Sequence, residues 1–217
     1  FLVAAEAIRI REKKIVVAST GNAASALAAV AASAGLIAKI FVPKSVPSAK
    51  LMQMVQHGAE IELVDGSYDD AFQMSLQYTR KNEGVNRNTA YNPLTIEGKK
   101  TVGLEIFAQN GYKVPDAILI PVGDGVIISG VYKAFLDLML AKITDKMPRL
   151  ICVQAEKSNA IHNYITEGVF QSAKNPATIA DSISVGTPCN AHMAKHVVEQ
   201  TKGFSLLIND EEMLMAQ

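Results

Sequence analysis

Apolar residues in this chain gather in short unbroken runs, not in alternation with polar ones. The runs IVVAS at 15–19, KIFVP at 39–43, EIELV at 60–64, AILIPV at 117–122, RLICVQA at 149–155 and FSLLIN at 204–209 have the length and β-branched content of buried strands. Segments with helical spacing follow most of them, at 22–34, 48–57, 68–82, 94–109, 126–142 and 190–202. Several reach a glycine suited to stopping a helix: Gly35, Gly58, Gly84 and Gly111. This rhythm predicts an α/β fold in which parallel sheets are flanked by helices on both faces. The rhythm breaks at Asn92-Pro93, where no clear strand is visible and a longer helical segment begins. That break divides the chain into two lobes, 1–93 and 94–217.

The opening residues, FLVAAEAIRIREKK, also have helical spacing, with Leu2, Ala5 and Ile8 on one face and basic residues toward the end. No capping Ser, Thr, Asp or Asn precedes them. At the other end Asn209 or Asp210 can cap a helix with Glu211 and Glu212 in its first turn, yet the chain stops at Gln217. Both ends read as cuts in a longer protein.

Composition narrows the classes. The stretch 15–38 carries no charge and follows Arg9, Arg11, Lys13 and Lys14, which mimics a signal peptide or a spanning helix. Ser19, Thr20, Gly21 and Asn22 interrupt it, and a strand, a turn and an alanine-rich helix explain it better. With 21 basic and 21 acidic side chains among 217 residues, the chain has no electrostatic footprint for nucleic acid or an acidic membrane. Cys152 and Cys189 are too few for a disulfide scaffold and fit a reducing cytoplasm. A soluble globular protein is expected.

Two strand-to-helix loops carry the candidate chemistry. Ser19, Thr20, Gly21 and Asn22 offer hydroxyls, a close backbone approach and a neutral amide where helix N–H groups attract anions. That set suits a carboxylate beside a ring hydroxyl, or else Asn22 is simply a helix cap. Pro121, Val122, Gly123, Asp124, Gly125, Val126 and Ile127 form a glycine-rich loop of the kind that cradles a phosphate. A nicotinamide-type GxGxxG pattern fails there, because Val126, Ile127 and Ile128 follow Gly125. Asp124 beside a phosphate is unfavourable unless its carboxylate turns away or meets a cation. His192 and His196, one helical turn apart, lack a third ligand, so no metal site is expected. Cys152 reads as core.

Taken together, the motifs identify a resemblance. Ala18-Ser19-Thr20-Gly21-Asn22, Lys50-Leu51 leading to His57-Gly58-Ala59, Tyr91-Asn92-Pro93 with Ile96-Glu97-Gly98-Lys99-Lys100-Thr101, Pro121-Val122-Gly123 and Ala180-Asp181-Ser182-Ile183 occur in order. The chain resembles the fold-type II pyridoxal-phosphate enzymes, the tryptophan synthase β-like family, and within it the threonine synthases. The resemblance implies two α/β lobes serving one pyridoxal 5'-phosphate, a small amino-acid substrate and a cytoplasmic enzyme, and it admits a homodimer. It assigns the substrate carboxylate to Ser19, Thr20, Gly21, Asn22 and Ala23, with Asn22 also on the cofactor's ring hydroxyl. The cofactor phosphate falls to the backbone of Gly123, Asp124, Gly125, Val126 and Ile127, and Lys50 is a candidate for a phosphate on the substrate. The expected reaction is elimination or replacement on an amino acid, O-phosphohomoserine to threonine. Ammonia-lyases and dehydratases of the same family, or a catalytically dead ligand-binding homologue, are the alternatives. The family's Schiff-base lysine belongs to a Ser-x-Lys motif that these residues do not contain, which places it upstream of Phe1. Asp124 and Val126 depart from the Asn and Gly usual in that phosphate loop.

Overall fold

A computed structural model describes residues 1–82 and 84–217, which form two compact units, Phe1–Thr95 and Ile96–Gln217. The first unit runs α1 (Leu2–Arg9), β1 (Lys14–Ala18), α2 (Asn22–Ser33), β2 (Ile37–Pro43), α3 (Ser48–Val55), β3 (Glu60–Val64), α4 (Tyr68–Lys81) and β4 (Val85–Asn86). Its four strands form one parallel sheet in the order β3-β2-β1-β4. Successive residues of β1 feed opposite faces. Ile15 and Val17 pack with Leu27, Ala28 and Met54 from α2 and α3, while Val16 and Ala18 pack with Phe41, Val64 and Ala71 on the α4 side. Both faces are therefore apolar, and the strand shows no alternation.

α5 (Leu94–Gln109) leads into the second unit, followed by β5 (Ala117–Pro121), α6 (Val126–Leu140), β6 (Arg149–Ala155), α7 (Ala160–Glu167), a 3-10 turn at Asp181–Ile183, α8 (Ala191–Gln200), β7 (Ser205–Ile208) and α9 (Asp210–Met215). The sheet is again parallel, in the order β5-β6-β7. Ile120, Leu150 and Cys152 meet Phe135 of α6, Ile161 of α7 and Val197 of α8 in its core. On the opposite face Leu119 and Leu206 are exposed. Among the described residues, no helix is long and apolar enough to cross a membrane.

The six apolar runs are all strands. Two elements lie outside the sequence expectation. β4 is two residues long and half polar, too short for any periodicity, and α7 is a single short helix ended by Gly168 at φ +80°. The buried face of α1 is also different from the one expected: Val3, Ala4 and Ala7 are buried, whereas Leu2, Ala5 and Ile8 are exposed. Small alanines let the helix approach β1, and the larger side chains stay outside. Gly35, Gly58 and Gly111 stop their helices in left-handed geometry, with paired bonds such as Leu36 N–H to Ala31 O at 2.8 Å. Gly84 does not. α4 ends at Asn82 in extended backbone, and the Asn82 amide donates to the Tyr78 carbonyl at 3.0 Å; Glu83 lies outside the described residues.

α5 and α6 cross closely because each brings a glycine to the other. A Cβ on Gly103 would lie 2.6 Å from Ala134 Cβ, and one on Gly130 2.9 Å from the Lys99 carbonyl carbon. Gly130→Ala is accordingly expected to lower stability by about 1–3 kcal/mol through overpacking, seen as an earlier thermal midpoint by circular dichroism.

The same two helices share an ion network. Lys100 bridges Asp137 at 2.6 Å and Glu97 at 2.9 Å, and Lys133 reaches Glu97 at 2.9 Å. Hydrogen bonds from Lys100 and Lys133 hold the Glu97 carboxyl below its ordinary value of 4.5. Asp137, then Glu97, holds Lys100 above 10.5. A lowered carboxyl stabilises the fold above its unfolded value, and that contribution disappears as pH falls through the folded one; the raised lysine loses its contribution as pH rises through its own. Such partly exposed networks are worth no more than about 1 kcal/mol. Glu97→Gln should thus cost a small amount of stability at neutral pH, and urea midpoints of parent and variant should converge well below pH 4.5.

Candidate active site

The first segment leaves the carboxyl end of β1. Ser19 N–H donates to Phe41 O at 3.3 Å, and Ser19 Oγ accepts the Gly21 amide at 3.4 Å. Gly21, not Asn22, occupies the N-cap of α2, and no side chain caps the helix. Asn22 is the first helical residue, exposed, so its side chain does not serve as the cap. The amides of Asn22 and Ala23 meet no acceptor among the described residues, as expected of an open first turn. Gly21 itself has extended φ of −131°, and a Cβ there would meet nothing within 4 Å. Neither backbone conformation nor packing within this chain requires glycine at that position.

A side chain that periodicity did not reveal holds this segment in place. Asn88 is fully buried; its Oδ1 accepts the Ala18 amide at 2.7 Å and its Nδ2 donates to Ser75 Oγ at 2.6 Å. Asn86 Oδ1 accepts the Asn88 amide at 2.9 Å, and Asn92 Nδ2 donates to Asn86 O at 2.8 Å. Tyr68 adds an O–H to Ala18 O at 3.3 Å. The available signal was the asparagine cluster 86, 88 and 92, an expensive set to bury unless each is fully bonded.

The second segment follows β5. Gly125, the N-cap of α6, has φ +86°, in the left-handed region that favours glycine. A Cβ on it would lie 2.9 Å from Asn190 O, and one on Gly123 3.1 Å from Ile183 Cα. These two glycines are therefore required by their own unit, unlike Gly21. The amides of Gly125, Val126 and Ile127 meet no acceptor among the described residues, and no acid stands in the first turn of α6. Asn190, another residue the sequence reading left within a helix, braces the loop by donating to Gly125 O at 3.0 Å and Ser129 Oγ at 2.8 Å. Asp124 is accounted for in part: its Oδ1 accepts the Cys189 amide at 3.3 Å, and its carbonyl accepts the Asn190 amide at 3.1 Å. Ser158 anchors the Ile183 segment that lies over Gly123, donating to Ile183 O at 3.1 Å and accepting the Val185 amide at 2.9 Å. A row of open amides at the start of a 15-residue helix, closed in by glycines, fits a phosphate ester.

Lys50 lies in the first turn of α3, exposed and engaged in a side-chain interaction. His192 Nδ1 is hydrogen-bonded to Tyr164 Oη at 2.8 Å, and His196 stands edge-on to Tyr132. Cys152 is buried, and burial pushes its thiol pKa up to about 12, which leaves it inert as a nucleophile.

The pyridoxal-phosphate dependent enzyme family matches residues 1–217, and the chain belongs to that family. It is 34% identical over 215 residues to a threonine synthase of Methanosarcina acetivorans, covering 98% of this chain and 53% of the relative. A threonine synthase of Mycobacterium tuberculosis is 32% identical over 212 residues, with 97% and 57% covered. The chain thus spans about half the length of the curated relatives it matches. Among solved structures, the processed form of threonine deaminase isoform 2 from Solanum lycopersicum superposes with a TM-score of 0.77 at 24% identity, covering 96% of this chain and 60% of that one. An L-serine ammonia-lyase from Rhizomucor miehei gives 0.81 at 22%, covering 96% and 64%. Those two likenesses concern the fold.

Asn88→Ala would leave the Ala18 amide unpaired in the core and remove the donor to Ser75 Oγ, which keeps its own bond to Phe72 O at 2.7 Å. A loss of about 1–3 kcal/mol is expected, measured as a lower denaturant midpoint, together with faster amide exchange at Ala18 and Ser19.

Proposed function

We propose that the protein to which this chain belongs is a pyridoxal-phosphate enzyme of elimination and replacement chemistry, converting O-phosphohomoserine and water to threonine and phosphate in the cytoplasm. The observation that carries the reading is Gly21: a glycine unnecessary to the fold, set between two hydroxyl residues and an uncapped helix. Residues 19–23 are assigned to the amino acid's carboxylate, with Ser19 and Thr20 as hydroxyl donors and the amides of Asn22 and Ala23 as backbone donors. Asn22 also donates to the ring hydroxyl of the cofactor. The amides of Gly123, Asp124, Gly125, Val126 and Ile127 hold its phosphate, and the bonds from Asn190 and Cys189 keep that loop in shape. Lys50 is the sequence-based candidate for the substrate's own phosphate.

Pyridoxal phosphate, when bound, acts as an electron sink for the amino acid's α-carbon. The chain's own contribution is orientation: a carboxylate fixed at the start of α2 restricts the substrate to few rotations, which accounts for a large part of such rate gains. The lysine that carries the cofactor and moves the α-proton is assigned to the polypeptide preceding Phe1. Threonine synthase relatives at 34% identity support the substrate choice over the deaminases, whose likeness is confined to the fold.

The test uses the enzyme expressed from its whole reading frame. A visible absorbance band that borohydride abolishes, with the cofactor left on a lysine, and phosphate release from O-phosphohomoserine are the expected results. Asn22→Ala should reduce kcat/KM by up to roughly 10-fold, the loss of one hydrogen bond to the ring hydroxyl, with no change in thermal midpoint because the side chain is exposed. Turnover of serine or threonine alone would transfer the reading to an ammonia-lyase. A colourless protein that takes up no cofactor would make it a binding homologue.

A further inference from the structure

The winding of the first sheet changes direction beside β1. The chain passes from β1 through β2 to β3 on one side, then returns to place β4 on the other. At such a point the loops leaving the carboxyl ends of the two neighbouring strands diverge and open a ligand crevice. After β1 the loop is Ser19, Thr20 and Gly21; after β4 it begins with Arg87, whose amide donates to Val16 O at 2.7 Å.

Arg87 differs from the other cations of its unit. Three of them are drawn partly into the fold: Lys14, Lys39 and Arg87. Lys14 pairs with Glu60 and Lys39 with Glu62. Arg87 pairs with no carboxylate among the described residues, and its Nη1 donates to Thr89 Oγ1 at 2.9 Å. Burial pushes the guanidinium's pKa below its ordinary value, more than the opposing influence of Tyr68 raises it, as expected of a charge drawn partly away from water. A guanidinium has five N–H donors, and among the described residues one of them is used. Thr89 accepts from Arg87, so its hydroxyl proton is left to donate elsewhere. A planar fork with an adjacent hydroxyl donor, at the crevice end of a parallel sheet, is built for an oxyanion of full charge.

We propose that Arg87, with Thr89, is the receptor for the phosphate group of the substrate, a role that the sequence alone assigns to Lys50. The inference rests on the reading of the substrate as a phosphorylated amino acid. Such a molecule carries two anionic groups. The open turn of α2 provides only the partial charge of a helix terminus, adequate for a carboxylate; a phosphate dianion calls for a whole cation, and Arg87 provides one.

The experiment uses the full-length holoenzyme, so that the cofactor's own phosphate site is filled, and measures inorganic phosphate binding by calorimetry beside the KM for O-phosphohomoserine. Arg87→Gln should weaken both by roughly 10- to 100-fold, and Arg87→Lys should recover part of the loss. The cofactor absorbance should be unchanged and the thermal midpoint equal or higher, because an uncompensated charge has been removed. Undiminished phosphate binding in Arg87→Gln overturns the proposal, and so does a lowered thermal midpoint that Arg87→Lys restores without restoring phosphate binding. If no threonine forms from O-phosphohomoserine while phosphate binding still depends on Arg87, the synthase reading fails and the oxyanion receptor stands.

Discussion

The amide of Ala18 is where strand β1 runs out of neighbours. β4 pairs with β1 only at Val85 and Asn86, so the last β1 amide on that side would face the interior unbonded, at a cost comparable to a lost hydrogen bond. The Asn88 side chain supplies the missing carbonyl. Its second bond, to Ser75, ties the same point to α4. One buried amide thus determines where the strand ends, how Ser19 departs and where Gly21 begins the next helix. The path of residues 18–21 is tied to the sheet and to α4 through that join.

The second unit solves the same problem with glycines. Its loop is pressed between α6 and the chain around Ile183 and Asn190, so closely that Gly123 and Gly125 have no room for a side chain. What remains pointing outward is backbone: open amides, with the Asp124 carboxylate engaged on Cys189 N–H. The departure from the usual loop sequence at Asp124 is therefore compatible with an anion, because that carboxylate has a donor of its own. Val126 is buried and belongs to the core of its helix.

Charge is distributed according to the same economy. Most ion pairs lie at the surface, where they contribute little, and Glu97 with Lys100, part of the family's motif, turns out to clamp α5 to α6. Arg87 is the exception in the first unit. It is partly withdrawn from water and pairs with no carboxylate among the described residues, which is the ground for the proposal made of it.

Much of this was legible from the sequence. Six strands, the helices that follow them and the two strand-to-helix loops could be read from continuous apolar runs, a signal local to each run, whether both faces are buried, as in β1, or one face stays exposed at Leu119 and Leu206. The small size of Gly21, Gly123 and Gly125 was visible too, though not that packing requires two of them and not the third. What stayed hidden depends on distant residues. Leu2, Ala5 and Ile8 have the same spacing as the set that is buried in α1, and only the approach to β1 selects between them. β4 is too short to carry a period, and the asparagines around it look like an ordinary polar loop until Ala18, 70 residues away in sequence, comes to need a carbonyl. The sequence by itself determined six of the seven described strands, their order along the chain and the two glycine-bearing strand-to-helix loops. Tertiary structure alone decided which faces are buried, which polar groups are satisfied and which cation meets no acid among the described residues, because those are properties of pairs that only folding brings together.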